Sequence, residues 1–326
     1  MPPFTLPFEK PVLDLENKLH ELENFSKQQD IDVSHEIDRM KEKIAATRAQ
    51  IYSNLTSWQK VQVARHPDRP YTLDYIKHMT TDFVEIHGDR IHADDRAIIG
   101  GFAKINGQDV MIIGSQKGRD TKSNLECNFG CAYPEGYRKA LRLMKLADKF
   151  NVPILTFVDT PGAFPGLESE ERHIAEAIAV NLREMFNLRV PVIVTIIGEG
   201  GSGGALGIGV GNRILIMEHA YYSVISPEGC AAILFKDRAF ADKSADALKI
   251  TADYLIEFKL ADEKVPEPAG GAHTDHKAAA ENLKAVILRH LGELKSETPE
   301  QLMNSRYEKF RRMGVFSENG VVNKPE

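Results

Sequence analysis

Cysteine is scarce. Three residues in 326, Cys127, Cys131 and Cys230, cannot make a disulfide framework, and a reducing, cytoplasmic setting is the expectation. Cys127 and Cys131 stand four apart, and no second Cys or His pair completes a zinc set, so no metal is expected in this chain. Positive charge is not in excess: 41 Lys and Arg against 47 Asp and Glu leave a net −6, without the basic footprint of a nucleic-acid-binding protein. No apolar run approaches the ~20 residues of a membrane span. The opening stretch, MPPFTLPFEKPVLDLENKLHELE, is acidic. It has neither the apolar core of a secretory signal nor the Arg-rich, acid-poor composition of a transit peptide. What remains is ordinary for a globular chain of one large or two small domains, with 42% hydrophobic and 27% charged residues.

The chain opens on helical periodicity. Val12, Leu15, Leu19 and Leu22 recur at three- and four-residue steps, and the polar stretch from Ser26 to Asp32 breaks the pattern. It resumes at Ile37, Met40, Ile44, Thr47, Ile51 and Leu55, with Asp32 or Ser34 as N-cap. The stripe is narrow, which leaves two readings: a hairpin packed on its own body, or an arm that embraces a partner. Arg65-His66-Pro67-Asp68-Arg69-Pro70 reads as a linker, followed by a helix over Thr72–Met79. Two strands flank Asn106-Gly107, a strong hairpin signal. Beyond them the pattern alternates: a helix over 134–150, a buried strand over 154–158, a long helix over 168–186 and a buried strand from Val192. Short strands over 214–217 and 222–225, and helices over 246–260, 278–294 and 299–313, complete an α/β layout.

The most informative stretch is Val192 to Gly211, VIVTIIGEGGSGGALGIGVG. A run with the profile of a doubly buried strand breaks into glycines and then into a helix start. Such a corner offers free N–H groups and a positive dipole end, suited to an anion that is present or that develops during reaction. A second glycine turn, Asp159-Thr160-Pro161-Gly162-Ala163-Phe164, follows the preceding strand; sites in α/β folds form where such turns leave strand C-termini. Gly198-x-Gly200-x-x-Gly203, with Glu218 twenty residues on, matches a dinucleotide fingerprint, but it sits past mid-chain and is richer in glycine than that turn requires. No Gly-Lys-Ser/Thr follows, which excludes a P-loop. Gly200-x-Ser202-x-Gly204 formally matches a nucleophile elbow, yet no acid and base partners can be assigned to Ser202. The plain alternative is a glycine-rich helix start packed tightly on a neighbour. His66, His87, His92, His173 and His219 are scattered, with surface or capping roles as the default; Glu168, Glu170 and Glu171 read as helix N-terminal charges. The basic loop Lys117 to Lys122 fits an acidic ligand or plain solvation equally.

Several motifs in one order are similar to the carboxyltransferase alpha subunit family of bacterial acetyl-CoA carboxylase. They are Lys117-Gly118-Arg119-Asp120-Thr121-Lys122, Pro134-Glu135-Gly136-Tyr137-Arg138-Lys139-Ala140-Leu141, Asp159-Thr160-Pro161-Gly162-Ala163, Gly198-Glu199-Gly200-Gly201-Ser202-Gly203-Gly204-Ala205 and Ser223-Val224-Ile225-Ser226-Pro227-Glu228-Gly229-Cys230. Ala64-Arg65-His66-Pro67 and Arg69-Pro70-Tyr71-Thr72 fit as well, so the resemblance runs nearly end to end. It implies a crotonase-like α/β spiral of ββα units spanning 66–326 with C-terminal helices. Residues 1–65 would form a helical extension that contacts another subunit.

The resemblance also implies half of an enzyme. A beta subunit would carry zinc and the acetyl-CoA side, two of each chain would assemble, and no cofactor would be bound covalently here. Carboxybiotin would arrive on the biotin carboxyl carrier protein, loaded by biotin carboxylase, and its carboxyl group would pass to acetyl-CoA, giving malonyl-CoA for fatty acid synthesis. The family's amide donors map onto Gly203 and Gly204, while Gly162, Ala163, Phe164, Gly200, Gly201 and Ser202 would line the substrate pocket. Glu126-Cys127, Cys131-Ala132-Tyr133 and Phe164 depart from the family's usual residues. Two rivals stand beside this reading: another crotonase-fold acyl-CoA enzyme that needs no partner, and a non-catalytic scaffold.

Overall fold

The computed structural model describes residues 4–29, 32–318 and 321–323. Both N-terminal stripes are helical, α1 (Lys10–Gln29) and α2 (Ser34–Tyr52), and the two helices pack on each other, tied by an Arg48–Glu16 ion pair at 2.5 Å. Helix α1 runs on to Gln29, beyond the expected break at Ser26; residues 30–31 of that polar stretch lie outside the described residues. Neither Asp32 nor Ser34 stands at the N-cap of α2. Val33 does, and the Asp32 carboxylate accepts the Ser34 N–H at 3.0 Å.

The hairpin lies on its own body in this single chain. The Tyr52 hydroxyl donates to the Glu9 carboxylate at 2.5 Å, Glu9 lies 3.4 Å from His273, and the Tyr52 ring meets His219 edge-on. His66 and His273 stack, 3.9 Å between centroids. Among the described residues, Glu9, His66 and His273 are the one group of three close enough to share a metal ion. His66 Nδ1 already accepts the Asp68 N–H at 3.1 Å, and the Glu9 carboxylate is engaged by the Tyr52 hydroxyl. This cluster is a fastening of the arm.

The body starts at α3 (Ser57–Ala64), whose Val61 and Ala64 pack against Tyr221 and Ile250, and continues with α4 (Thr72–Met79) and an unforeseen edge strand β1 (Thr81–Glu85). β2 (Ile98–Ile105) and β3 (Gln108–Ser115) form the expected hairpin, with Asn106 and Gly107 both at positive φ. α5 (Thr121–Glu126) and α6 (Pro134–Lys149) lead to β4 (Ile154–Thr160), then α7 (Leu167–Glu171), α8 (Ile174–Phe186) and β5 (Val192–Gly201). After α9 (Ser202–Leu206) come β6 (Arg213–Met217), β7 (Tyr221–Ser223), α10 (Pro227–Leu234), α11 (Ala241–Leu248), α12 (Ala252–Glu257) and β8 (Glu263–Val265). Two long helices, α13 (His276–Leu294) and α14 (Pro299–Arg311), precede a terminal hairpin of β9 (Phe316–Glu318) and β10 (Val321–Asn323).

The main sheet runs β1-β2-β3-β4-β5-β6-β8, antiparallel as far as β3 and parallel beyond, with β7 alongside the end of β5. Every residue of β4 and β5 is buried, as expected of central parallel strands covered on both faces. Two expected helices are broken. The one over 168–186 is interrupted at His173, which is left-handed (φ 64°) and frees the Arg172 carbonyl to accept from Arg138 at 2.9 Å. The one over 246–260 is divided at Lys249 (φ 52°), where Thr251 bridges to Tyr221. Helix α14 is anchored by the fully buried Arg306, whose guanidinium donates to the carbonyls of Met185, Leu188 and Val190 and to Asn212 Oδ1.

The fastening of the arm is sensitive to acid. Burial, with His273 beside it, holds the His66 imidazole down at about 4, against an ordinary 6.5. Burial works to raise the Glu9 carboxyl, but the His273 and Tyr52 hydrogen bonds outweigh it and hold it at about 2. Both groups take up protons more readily in the unfolded chain. Their stabilisation is therefore complete above about pH 6.5 and is lost as pH falls towards 4 for His66, then from 4.5 towards 2 for Glu9. The expected outcome in thermal denaturation is a melting temperature flat above pH 6.5 that drops by a few degrees, roughly 2–4 °C per kcal/mol for a large chain, by pH 4. His66→Asn abolishes that upper part of the decline.

Candidate active site

β4 and β5 lie side by side and parallel, and the chain leaves both at the same edge of the sheet. After β4 it passes through Pro161, Gly162, Ala163 and Phe164; after β5 it enters α9. The strand persists to Gly201, four residues past Ile197, and the sharp turn falls at Ser202, which is left-handed with φ 53°. The glycines before it serve close approach. A Cβ on Gly201 would stand 2.2 Å from the Pro161 carbonyl oxygen, and one on Gly204 2.4 Å from the Gly162 carbonyl carbon. A Cβ on Gly198 would meet the Asp159 carboxylate at 2.5 Å, and one on Gly200 the Tyr222 ring at 2.7 Å. The two turns therefore touch backbone to backbone. Gly203 alone in this group has room: its nearest neighbour would be Ile178 Cδ1 at 3.7 Å.

An open, apolar cleft of about 340 Å³ begins at Ser202 and Gly203 and runs along Leu206, Tyr222, Val224 and Met313. Gly203 lines it, and Gly204 is buried behind, against Gly162 and Ala163. Both residues belong to the first turn of α9, whose amides have no acceptor within the helix. A larger cavity, of about 480 Å³, lies at the opposite ends of the strands, around Asp109, Pro153, Arg189 and Leu302. Arg189 there is spent on Asp148 at 2.9 Å, so the cleft at the glycine corner is the better candidate. Of the other expected residues, Phe164 turns to Tyr133, ring centroids 4.4 Å apart, and its N–H bonds the Ala132 carbonyl. Among the described residues, no hydrogen bond joins the Ser202 side chain to an acid or base.

Behind the two turns lies a buried ionic network. Lys117, two residues past the end of β3, reaches Asp159 at 2.6 Å and Glu199 at 2.8 Å. Arg65 approaches Glu199 from the other side at 2.6 Å and also holds Glu228, while the Tyr221 hydroxyl donates to Glu199 at 2.6 Å. Burial works to raise the Glu199 carboxyl, but Lys117 and Arg65 overcome it and keep it at about 2. Burial pushes the Asp159 carboxyl up, the Lys117 ammonium pulls it back, and Glu199 adds to the push. Below this layer, Arg69 and Glu267, both 0% exposed in their side chains, pair at 2.5 Å; His219 leans on Glu267 at 3.1 Å.

These residues correct several expectations. Lys117 is not in a solvated loop. Arg65 and Arg69 are pillars rather than linker. His66 and His219 are buried. Arg119 is engaged by Asp74 and the Pro67 carbonyl. The missed signal was a carboxylate near the end of each fully buried strand, Asp159 and Glu199, positions where a buried charge demands a partner. The contrast between the neighbouring glycines is testable by calorimetry: Gly204→Ala is expected to lower stability by about 1–3 kcal/mol through overlap with the Gly162 turn, and Gly203→Ala to leave it within about 0.5 kcal/mol.

The family model for acetyl co-enzyme A carboxylase carboxyltransferase-like proteins matches residues 5–314. The acetyl-coenzyme A carboxylase carboxyl transferase subunit alpha of Geobacter metallireducens is 56% identical over 315 residues, covering 97% of this chain and 99% of that protein. Its counterpart from Thermus thermophilus is 54% identical over 313 residues, covering 96% and 99%. Among solved structures, transcarboxylase 12S matches with TM-score 0.53 at 22% identity over 67% of this chain and 42% of that one, under half of its length. The Pseudomonas malonate decarboxylase hetero-dimer matches with TM-score 0.54 at 18% identity, over 67% and 89%. The fold is the crotonase-like one that the motifs implied.

Proposed function

Because the chain belongs to the family of acetyl-coenzyme A carboxylase carboxyltransferase alpha subunits, we propose that its glycine corner receives carboxybiotin and drives the release of its carboxyl group. It is a transferase subunit, and the reaction moves a carboxyl group to acetyl-CoA, giving malonyl-CoA. The observation that carries the proposal is the cleft that starts at Gly203, at the first turn of a helix whose amides lack internal acceptors.

As the carboxyl group leaves biotin, negative charge gathers on the ureido oxygen. Fixed donors aimed at that oxygen lower the barrier, because they are already oriented when the charge appears. The amides of Gly203 and Gly204, at the first turn of α9, are those donors. The ureido anion then takes a proton from the acetyl-CoA methyl group. Of the residues expected to line the substrate pocket, Ser202 borders the cleft beside Gly203; Gly162, Ala163, Gly200 and Gly201 are not among its walls and hold the corner from behind, with Phe164 bracing the Gly162 turn through Tyr133. The apolar walls of Leu206, Tyr222 and Val224 suit an uncharged ring system.

The acetyl-CoA half, and the zinc, belong to a separate beta chain, in an assembly of two alpha and two beta. The biotin carboxyl carrier protein, loaded by biotin carboxylase, presents the substrate, and the assembly works in the cytoplasm. No helix of the described residues is long and apolar enough to cross a membrane. The rival of a self-sufficient acyl-CoA enzyme is disfavoured by the site: among the described residues, the cleft is lined by no Asp, Glu, His or Lys to serve as a general base for an acyl group.

The purified chain alone is expected to form no malonyl-CoA from acetyl-CoA and the carboxylated carrier, and to become active when the beta chain is added. Gly203→Val, whose Cβ would meet nothing nearer than Ile178 Cδ1 at 3.7 Å, should hold the ureido oxygen away from the amides and lower kcat of the assembled enzyme by about 10²–10³ with assembly intact. Near-normal malonyl-CoA formation by assembled Gly203→Val enzyme would remove these amides from the mechanism.

A further inference from the structure

The β4–β5 ladder slips just before the two turns. Val158 pairs with Ile196 and Thr160 with Gly200, so one residue of β4, Asp159, faces three of β5, namely Ile197, Gly198 and Glu199. A bulge of this kind leaves backbone groups without strand partners and re-aims the chain beyond it. Here side chains take up those groups. The Ile197 carbonyl accepts from Arg69 Nε at 2.7 Å, and the Glu199 N–H donates to Asp159 Oδ1 at 2.9 Å. That same Oδ1 receives the Lys117 ammonium at 2.6 Å, and Lys117 spans to the Glu199 carboxylate as well. Pro161 follows Asp159 by two residues and Gly200 follows Glu199 by one, so the clamp sits at the root of both glycine turns.

We infer that Asp159, held by Lys117, is a positioning residue for carboxyl transfer: it fixes the Glu199 amide, the amide fixes the bulge, and the bulge sets where the amides of Gly203 and Gly204 stand relative to the Gly162 turn. The inference rests on the reading of the glycine corner as the carboxyl-transfer site. Stability alone does not account for charges in this place. The desolvation of a buried ion pair offsets its attraction, and an apolar pair of similar volume often serves a core equally well. An apolar pair cannot accept the Glu199 N–H. Asp159 Oδ2 has no hydrogen-bond partner among the described residues, so one oxygen carries the whole arrangement. The tolerance is small, because donors displaced by about 1 Å forfeit about 10² in rate.

Three variants, each assembled with the beta chain, test this. Asp159→Asn keeps an oxygen for the Glu199 N–H and should lose no more than about fivefold in kcat, while Asp159→Ala removes the acceptor and should lose about 10²-fold, with the acetyl-CoA KM within about threefold of wild type. Amide hydrogen exchange over residues 197–204 should speed up in the Ala variant and stay near wild type in the Asn variant. Should the Ala variant not assemble, Lys117→Met, which leaves Asp159 in place but unheld, should show the same faster exchange and lower kcat. The inference is overturned if Ala keeps kcat within about threefold, if Asn and Ala lose it equally, or if exchange over 197–204 is unchanged in the assembled variant that removes the clamp. Failure of the wild-type assembly to form malonyl-CoA would overturn the functional reading instead; the exchange result then still decides whether the clamp holds the bulge.

Discussion

Gly201 and Gly204 lie so close to the Pro161–Ala163 segment that a single methyl group on either would stand within 2.5 Å of main-chain atoms. This contact of backbone on backbone is the constraint from which the rest of the site follows. Two strands of a parallel sheet deliver their C-terminal turns to one point, and only residues without side chains let those turns meet. What emerges beside the contact is a short helix start, its amides free of internal acceptors, at the mouth of an apolar cleft.

Such a contact has little cohesion of its own, since glycine brings no side chain to pack. The cohesion comes from the layer behind it. Arg65, Lys117, Asp159, Glu199 and Glu228 bring charges from separate elements into one cluster, buried at Lys117, Asp159 and Glu199 and half-buried at Arg65 and Glu228, and Arg69 with Glu267 adds a second pair beneath. Charges in such a place are expensive to desolvate and hold only when each meets a counter-charge or a directed hydrogen bond. The bulged segment of β5 supplies part of that demand through the Ile197 carbonyl and the Glu199 amide, and in return is held still. Preorganised donors lower a barrier only if they do not move when the charge arrives, so a rigid base and a catalytic rim are two aspects of one arrangement.

The N-terminal arm has a different character. Its contacts with the body run through a small set of titratable and aromatic side chains, Glu9, Tyr52, His66, His219 and His273, rather than through an extended apolar face. That composition suits a segment whose other faces remain available in a multisubunit assembly.

Much of the fold was legible in the residues. The hydrophobic period located β4, β5, α4 and α6, and Asn106-Gly107 specified a hairpin, because these signals are local: a side-chain alternation, a turn that needs positive φ. The glycine corner was legible for the same reason, as were the motifs that marked the family. The helix breaks at His173 and Lys249 were not legible, because each depends on a distant partner, Arg138 in one case and Tyr221 in the other. Nor were the burial of Lys117 and the roles of Arg65 and Arg69, which lie 42, 134 and 198 residues from carboxylates they meet. Sequence by itself determined which segments turn, which strands are buried and which residues can come close. Tertiary structure alone decided that two glycine turns 40 residues apart share one point and that a charged side chain becomes a pillar there, since pairing across the sheet is a property of the assembled layers and of no single segment.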